Sequence, residues 1–494
     1  MKNLKLVAAI ALVAFGAASC DPELGPAPEV TAPATQQVLT ESDVTIDFTY
    51  SAAGGFASSE VTATGGTAAV ATDGVVGETS GTISVTFTAG AAAGAASVTL
   101  SVTDADGQSD DVTAVVSIEE ELTVIRVDAN ISGDVTWETG KTYILGGRIT
   151  VLDGATLNIQ PGVVVKGEAG TGSNATALLV ARGGTLNAAG TAAMPIIFTS
   201  IADEITPEDV AAGNFASPNL APDVNGLWGG VIILGKARIS ASNDNDEDVS
   251  EVQIEGIPTS DTNGLYGGTE DGDNSGTITY ISIRHGGSNI GAGNEINGLT
   301  LGGVGSGTTI SHVEIVGNQD DGIEFFGGTV NVSNAVVWNV NDDAIDTDQS
   351  WAGTLDNFVV IAPNTSGAHC FELDGPEGSY EAGHIITNGT IYASYTNEDD
   401  EVARLAEDLI NVDNNSIVAL SNLFFTEIQA GQDINRVTAA GVTFTNIELD
   451  VPAAELGNYV NGDVPAGVTA ASTATVGADA TVLGWTWASQ DGRF

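Results

Sequence analysis

Between residues 38 and 118 the chain alternates apolar and polar positions. Beyond that it breaks into short apolar runs that end in Gly or Asp. The alternating segments are Val44-Thr45-Ile46-Asp47-Phe48, Gly81-Thr82-Ile83-Ser84-Val85-Thr86-Phe87 and Ser97-Val98-Thr99-Leu100-Ser101-Val102. A period of two with turn-rich spacers predicts half-buried strands of a small β-sandwich over residues 33–121. Val98 to Gly107 is similar to the late hairpin of immunoglobulin-like or PKD-like extracellular domains.

The later runs are Tyr143-Ile144-Leu145, Ile149-Thr150-Val151, Ala155 to Ile159 and Leu178 to Ala181, each closed by Gly or Asp. Strands that short suit the corners of a narrow coil. Three segments are copies of one another: Gln319 to Glu324, Asn341 to Asp346 and Ala368 to Glu372, with a looser fourth at Glu407 to Asn411. Their offsets of 22, 26 and 39 residues predict one copy per turn of a right-handed parallel β-helix over residues 122–449. At the low-twenties repeat this gives about ten to thirteen rungs. Stacked rungs lie ~4.8 Å apart, so equivalent residues form columns. One column runs Asp321, Asp343, His369, Asp408; another runs Glu324, Asp346, Glu372, Asn411. Asparagines recur before strands at Asn334, Asn357, Asn388 and Asn422, and predict a side-chain ladder at one corner. Trp228, Trp338 and Trp351 are expected to be core or stacking residues, and an exposed one could bind a sugar ring.

Charge narrows the function classes. Thirteen Lys and Arg against 65 Asp and Glu give a net charge of −52, which repels nucleic acid and favours cations. The N-terminus carries Lys2 and Lys5, then an apolar run from Leu6 to Phe15 and small residues before Cys20. This predicts a signal peptide over residues 1–19, whose end resembles the bacterial lipobox. Lipidation of Cys20 would follow, with a Pro-rich acidic tether over residues 20–32 and residence at the outer membrane. Cys370 is the only other cysteine, so no disulfide forms within the mature chain.

Gly226 to Gly235, Ile254-Glu255-Gly256, Glu295 to Leu301 and Asp320 to Gly328 resemble landmarks of a family of secreted β-helix lipoproteins in the pectate-lyase-like superfamily. The closing Thr481 to Trp487 also resembles it. The resemblance implies fold and address, since the family carries no established activity. Residues 450–494 are expected to cap the open last rung, because an exposed strand edge recruits other chains.

Two chemistries are open on the columns. Asp321-Gly322, Asp342-Asp343 and His369 resemble, at similar spacing, the active-site rungs of polygalacturonases, which are inverting hydrolases. Asp321, Asp343 and His369 would then be catalytic. The third rung departs as Ala368-His369-Cys370, and the downstream basic motif that grips a uronate is absent. Arg404 is the only basic residue between Arg284 and Arg436. Asp321 also has the parity of Ile323, so these aspartates could instead bond corner amides. Glu324, Asp346, Glu372 and, two residues on, Asp348 and Asp374 point outward by strict alternation. They either hold a cation such as Ca²⁺ or splay into solvent as ordinary charged surface. Asp244 to Asp248 with Glu255 has the spacing of an EF-hand loop, but Val249 stands at the sharp-turn glycine, so an acidic insertion loop is expected. The leading expectation is a non-enzymatic surface protein that binds a glycan; the alternative is a polysaccharide-active glycoside hydrolase.

Overall fold

The computed structural model describes all residues except 1–23, 244, 290–295, 363–367, 397–401, 414 and 436–440. The expected signal peptide and Cys20 therefore lie outside the described residues, as do Glu295 of the family motif and Asp244 of the acidic loop. The chain divides into two compact units, Met1–Leu122 and Thr123–Phe494. Among the described residues no helix is long and apolar enough to cross a membrane.

The first unit is built from two four-stranded sheets. One holds Glu29–Thr31, Asp43–Ser51, Ser80–Ala89 and Gly66–Thr72; the other holds Gln36–Leu39, Ser109–Glu119, Gly94–Asp104 and Phe56–Thr64. Alternation sends Ile46, Phe48 and Tyr50 of one sheet, and Val98, Leu100 and Val102 of the other, into a shared core. The hairpin after Asp104 is closed by its own carboxylate, which accepts the Gln108 amide at 2.8 Å, with Gly107 at φ 79°. Residues 29–31 were expected in the tether. They are instead an edge strand that pairs antiparallel with Asp43–Ser51.

The second unit is a parallel β-helix. Its longest sheet carries twelve strands side by side from Val124–Val127 to Val468–Ala470, within the expected range of rungs. The copied segments stack as their spacing requires: Ile323 pairs with Ile345 and Ile345 with Phe371. These residues face the interior with Phe325, whose ring stacks on Trp351 at 3.9 Å. Trp228 and Trp351 are buried in the coil core, and Trp338 is buried on its outer face.

One corner explains the recurring asparagines. Tyr280, His312, Asn334, Asn357, Asn388, Asn422 and Asn446 stand at the same point of successive rungs, all with φ between 51° and 59°. Asn tolerates this left-handed backbone better than most residues. The side chains also bond along the coil: Asn357 donates to Asn334 at 2.7 Å, Asn422 to Asn388 at 3.0 Å and Asn446 to Asn422 at 3.0 Å. Between Asn357 and Asn388 the ladder shifts, and Asn388 donates to Asp356 at 2.7 Å.

The C-terminal expectation is corrected in two respects. The coil does not stop at residue 449, because Ile434 bridges Val460 and Val468–Ala470 pairs with Val442–Leu449. Leu456, Tyr459 and Ala470 pack against the end of the coil core, and the tail then climbs back along the outside. Thr475 bonds Glu448, the Ala478 amide donates to Thr390 at 3.0 Å, and the Asp479 amide donates to Asn357 at 2.6 Å. Trp487 finally reaches Trp338, with ring centroids 5.7 Å apart. The reason lies in the strands beneath. Val316, Val336, Trp338, Val359 and Ile361 point away from the coil axis and need cover, which Leu483, Trp487 and Ala488 supply. A second insertion covers another outer face: Ile239, Ile254, Ile257 and Tyr266 pack on Leu179, Ile232, Leu234 and Phe326.

Candidate functional site

The acidic columns form on two adjacent features of the coil, a corner and the strand after it. On the strand, Glu324 pairs with Asp346, Asp346 with Glu372 and Glu372 with Asn411. Amides bound this acidic run at both ends. Above it, Asn297 donates its side-chain amide to Glu324. Below it, Asn411 donates to Glu372 at 3.3 Å, and Asn435 and Asn461 continue as an amide ladder at 3.3 and 3.1 Å.

At the corner, the Asp343 amide donates to Asp321 Oδ1 at 2.9 Å, and the His369 amide donates to Asp343 Oδ1. His369 in turn bridges Asp408. Each aspartate thus accepts the backbone of its counterpart one rung on. The His369 imidazole Nδ1 lies 2.9 Å from Asp343 Oδ1.

The strand column points away from the coil axis as parity requires, but much of the acidic cluster is withdrawn from solvent, with Asp346 and Glu372 half-buried. Asp321, Asp343 and Glu324 are 7%, 3% and 7% exposed. Burial pushes the carboxyls of Asp321, Glu324, Asp343 and Asp346 well above the usual carboxylate range. Neighbouring charges add to it: Asp346 acts on both Asp321 and Glu324, and Asp343 shares a hydrogen bond with Glu372. Asp348 is pushed up to about 8, first by burial and then by Glu377.

Inverting hydrolysis needs two carboxyl groups on an accessible cleft, roughly 6.5–9.5 Å apart, with room for a water between them. Asp321 and Asp343, the carboxyls of the alternative hydrolytic reading, are only 7% and 3% exposed, and each accepts a corner amide. The parity of Asp321 with Ile323 had pointed to this turn role.

Cation ligation fits the donors better. Asp321, Glu324 and Asp346 offer ligand atoms within 4.8 Å of one another, as do Asp343, His369 and Glu372, and Asp320, Asp321 and Asp342. Asp346 Oδ1 and Asn297 Oδ1 are buried and make no hydrogen bond to any described residue. Dry oxygens without donors, beside a cluster of carboxyls, are the chemistry of a hard-cation site. Of the residues expected to ligate, the structure brings Glu324 and Asp346 together in one set and Glu372 into another. Asp348 and Asp374 belong to neither. Asp348 instead accepts the Gln349 amide at 2.6 Å. Asn297 was missed by sequence reasoning, although it sits inside the Glu295 to Leu301 landmark. Also missed was the cleft of about 350 Å³ that gathers Arg404 and Arg493 elsewhere on the unit.

Stacked parallel rungs with inward aliphatic columns and a side-chain ladder at the corner define a parallel β-helix. Residues 129–490 match the family described as pectate-lyase like beta helix domain, and the chain belongs to that family. No curated protein matches the sequence. Two solved structures are similar in part. A Family 28 exopolygalacturonase from Yersinia enterocolitica is 12% identical, covering 90% of this chain and 98% of its own, with a TM-score of 0.18. A mutant of the SrpA adhesin from Streptococcus sanguinis is 13% identical, covering 20% of this chain and 67% of its own, with a TM-score of 0.17. At these scores neither carries a functional argument.

Proposed function

We propose that this chain is a non-enzymatic binding protein for glycans, with its β-helix as a rigid display body. The observation that carries this reading is the use of Asp321 and Asp343 as acceptors for the amides of the next rung. The residues that would hydrolyse a polysaccharide are occupied in holding the corner together. The body they hold is long, repetitive and rigid, which suits presentation of a surface.

Ca²⁺ is the proposed cofactor, held by Asp321, Glu324 and Asp346 with Asn297 beside them. Its part is structural: it neutralises buried carboxyls that otherwise repel across a ~4.8 Å rung spacing. The proposed address is the outer membrane, through acyl chains on Cys20. Each buried methylene contributes about 0.8 kcal/mol, so two or three chains anchor stably.

The test is a glycan array probed with the full-length lipoprotein in detergent, alongside reducing-end assays on the bound polysaccharides. Binding without release of reducing ends is expected. Turnover of a bound polysaccharide, abolished by Asp343→Asn, would overturn the reading and restore the hydrolase.

A further inference from the structure

In a chain with thirteen basic residues, two arginines meet in one cleft. Arg404 lies on Val402–Leu405, a strand that pairs antiparallel with Ser394–Thr396 and sets Arg404 directly opposite Tyr395. Arg493 arrives from the far end of the returning C-terminal tail. Its guanidinium sits 4.6 Å from the Tyr395 ring centroid and 5.1 Å from that of Trp338. Asp223, Asn339 and Trp338 complete the walls of the cleft, whose volume is about 350 Å³.

The two arginines are held differently. Arg493 is tied at the rim by Asp491, which accepts its Nε at 2.7 Å. Arg404 reaches Asp223 with Nη2 at 3.0 Å, and its side chain is only 9% exposed. Its Nη1 is buried and makes no hydrogen bond to any described residue. A guanidinium is always charged, and a donor removed from water without an acceptor is costly to keep. Burial lowers the pKa of Arg404, Asp223 opposes that shift, and the nearby positive charge of Arg493 adds to it. Two guanidiniums thus share one cleft with a single lining carboxylate, that of Asp223.

We propose that this cleft binds a carboxylate carried on a sugar, which names the ligand class and the site within the binding function proposed above, and rests on that reading. A guanidinium fork matches a carboxylate in plane and spacing, and Tyr395 and Trp338 line the cleft with aromatic edges beside the two arginines. The volume is near the lower end of the roughly 300–1,000 Å³ of ligand clefts and suits a single sugar unit. The −52 net charge sets the rest of the specificity. Outside the cleft the protein repels anions over a Debye length of about 8 Å. The preferred ligand is therefore one acidic unit on an otherwise neutral chain, not a polyanion.

The experiment is calorimetric titration of the full-length protein with four probes: a neutral oligosaccharide ending in glucuronic acid, its carboxyl-reduced counterpart, a polyuronate and inorganic phosphate. The glucuronate-capped probe should bind at least about tenfold more tightly than the reduced one and than the polyuronate. Arg404→Gln and Arg493→Gln should each lose about tenfold or more, and Arg404→Lys should recover only part of it, because the fork is gone. Melting temperatures of the variants, measured in parallel, separate a lost contact from a lost fold. Equal affinity for the glucuronate and reduced probes, or unchanged affinity in both Gln variants, overturns the site and leaves the glycan-binding function standing. Phosphate competing as well as glucuronate overturns the sugar class and makes this a general anion pocket. No binding of any glycan, here or on an array, removes both the site and the binding function.

Discussion

The side-chain amide of Asn411 donates to the carboxylate of Glu372, its partner in the column one rung away, at 3.3 Å. At that contact a column of buried and half-buried acids becomes a column of amides. An amide ladder satisfies itself, since each side chain offers both a donor and an acceptor. A carboxylate ladder cannot, because ionised acids only accept, so it needs protons or a cation.

Asp346 stands in the middle of the acidic run and is the position to test. Ca²⁺ at 100 times its dissociation constant should stabilise the wild type by about 2.7 kcal/mol over the EDTA-treated protein. Asp346→Asn should stabilise the metal-free protein, by about 1–3 kcal/mol, and abolish the response to Ca²⁺. Differential scanning calorimetry in EDTA and in Ca²⁺ reads both effects. Identical melting of the wild type in the two buffers would remove the cation from the account.

Asp343 separates a corner acceptor from a catalytic acid. Asparagine keeps an oxygen for the His369 amide, so Asp343→Asn should alter stability by less than about 1 kcal/mol. Asp343→Ala removes the acceptor and should cost about 1–3 kcal/mol. Equal stability of the Ala and Asn variants in urea titration would show that the amide contact contributes nothing.

The repeat was legible because each rung uses the same residue types at the same positions: Ile323, Ile345 and Phe371 inside, Glu324, Asp346 and Glu372 outside. Register follows directly from such copies, and the asparagine corner does too. What covers the outer faces was not legible. The bond from Asp479 to Asn357 spans 122 residues and belongs to no period. The last residues, from Thr475 on, therefore serve as a lateral cover that no repeat announces. Arg404 was visible as a lone cation, but nothing in its neighbourhood of sequence announced Arg493.

Asn422 tests what the corner requires. It has φ 53°, donates to Asn388 and accepts from Asn446. Asn422→Ala loses both bonds and strains the backbone, for about 2 kcal/mol or more. Asn422→Gly keeps the left-handed backbone and should recover part of that loss. Chemical denaturation of the pair checks it. A Gly variant less stable than the Ala variant would mean that the backbone conformation is not the strained element.

Cys20 tests the address. Cys20→Ala should move the protein from the membrane fraction to the soluble fraction, because the apolar run from Leu6 to Phe15 is too short to span a bilayer. Fractionation with metabolic labelling by a fatty acid reads the outcome. A variant that stays membrane-bound would rule out the lipid anchor.

His384 gives the pH dependence with the cleanest sign. It is buried against Trp351, with ring centroids 5.0 Å apart, and its pKa is lowered from 6.5 to about 3 by burial, against a hydrogen bond to the Trp351 backbone. The folded imidazole is therefore neutral where the unfolded one is charged. Between pH 6.5 and 3 the unfolded chain binds a proton that the folded chain refuses, so acid favours unfolding. The contribution approaches about 1.4 kcal/mol for each pH unit below the unfolded pKa. The buried carboxyls, whose pKa values are raised, have the opposite sign, so the wild-type profile alone mixes the two. His384→Phe removes only the imidazole and keeps a ring against Trp351. The stability of the Phe variant relative to wild type should be flat above pH 7 and rise steadily from pH 6 to 4. A difference that does not change across that range would show that His384 takes up its proton in the folded coil.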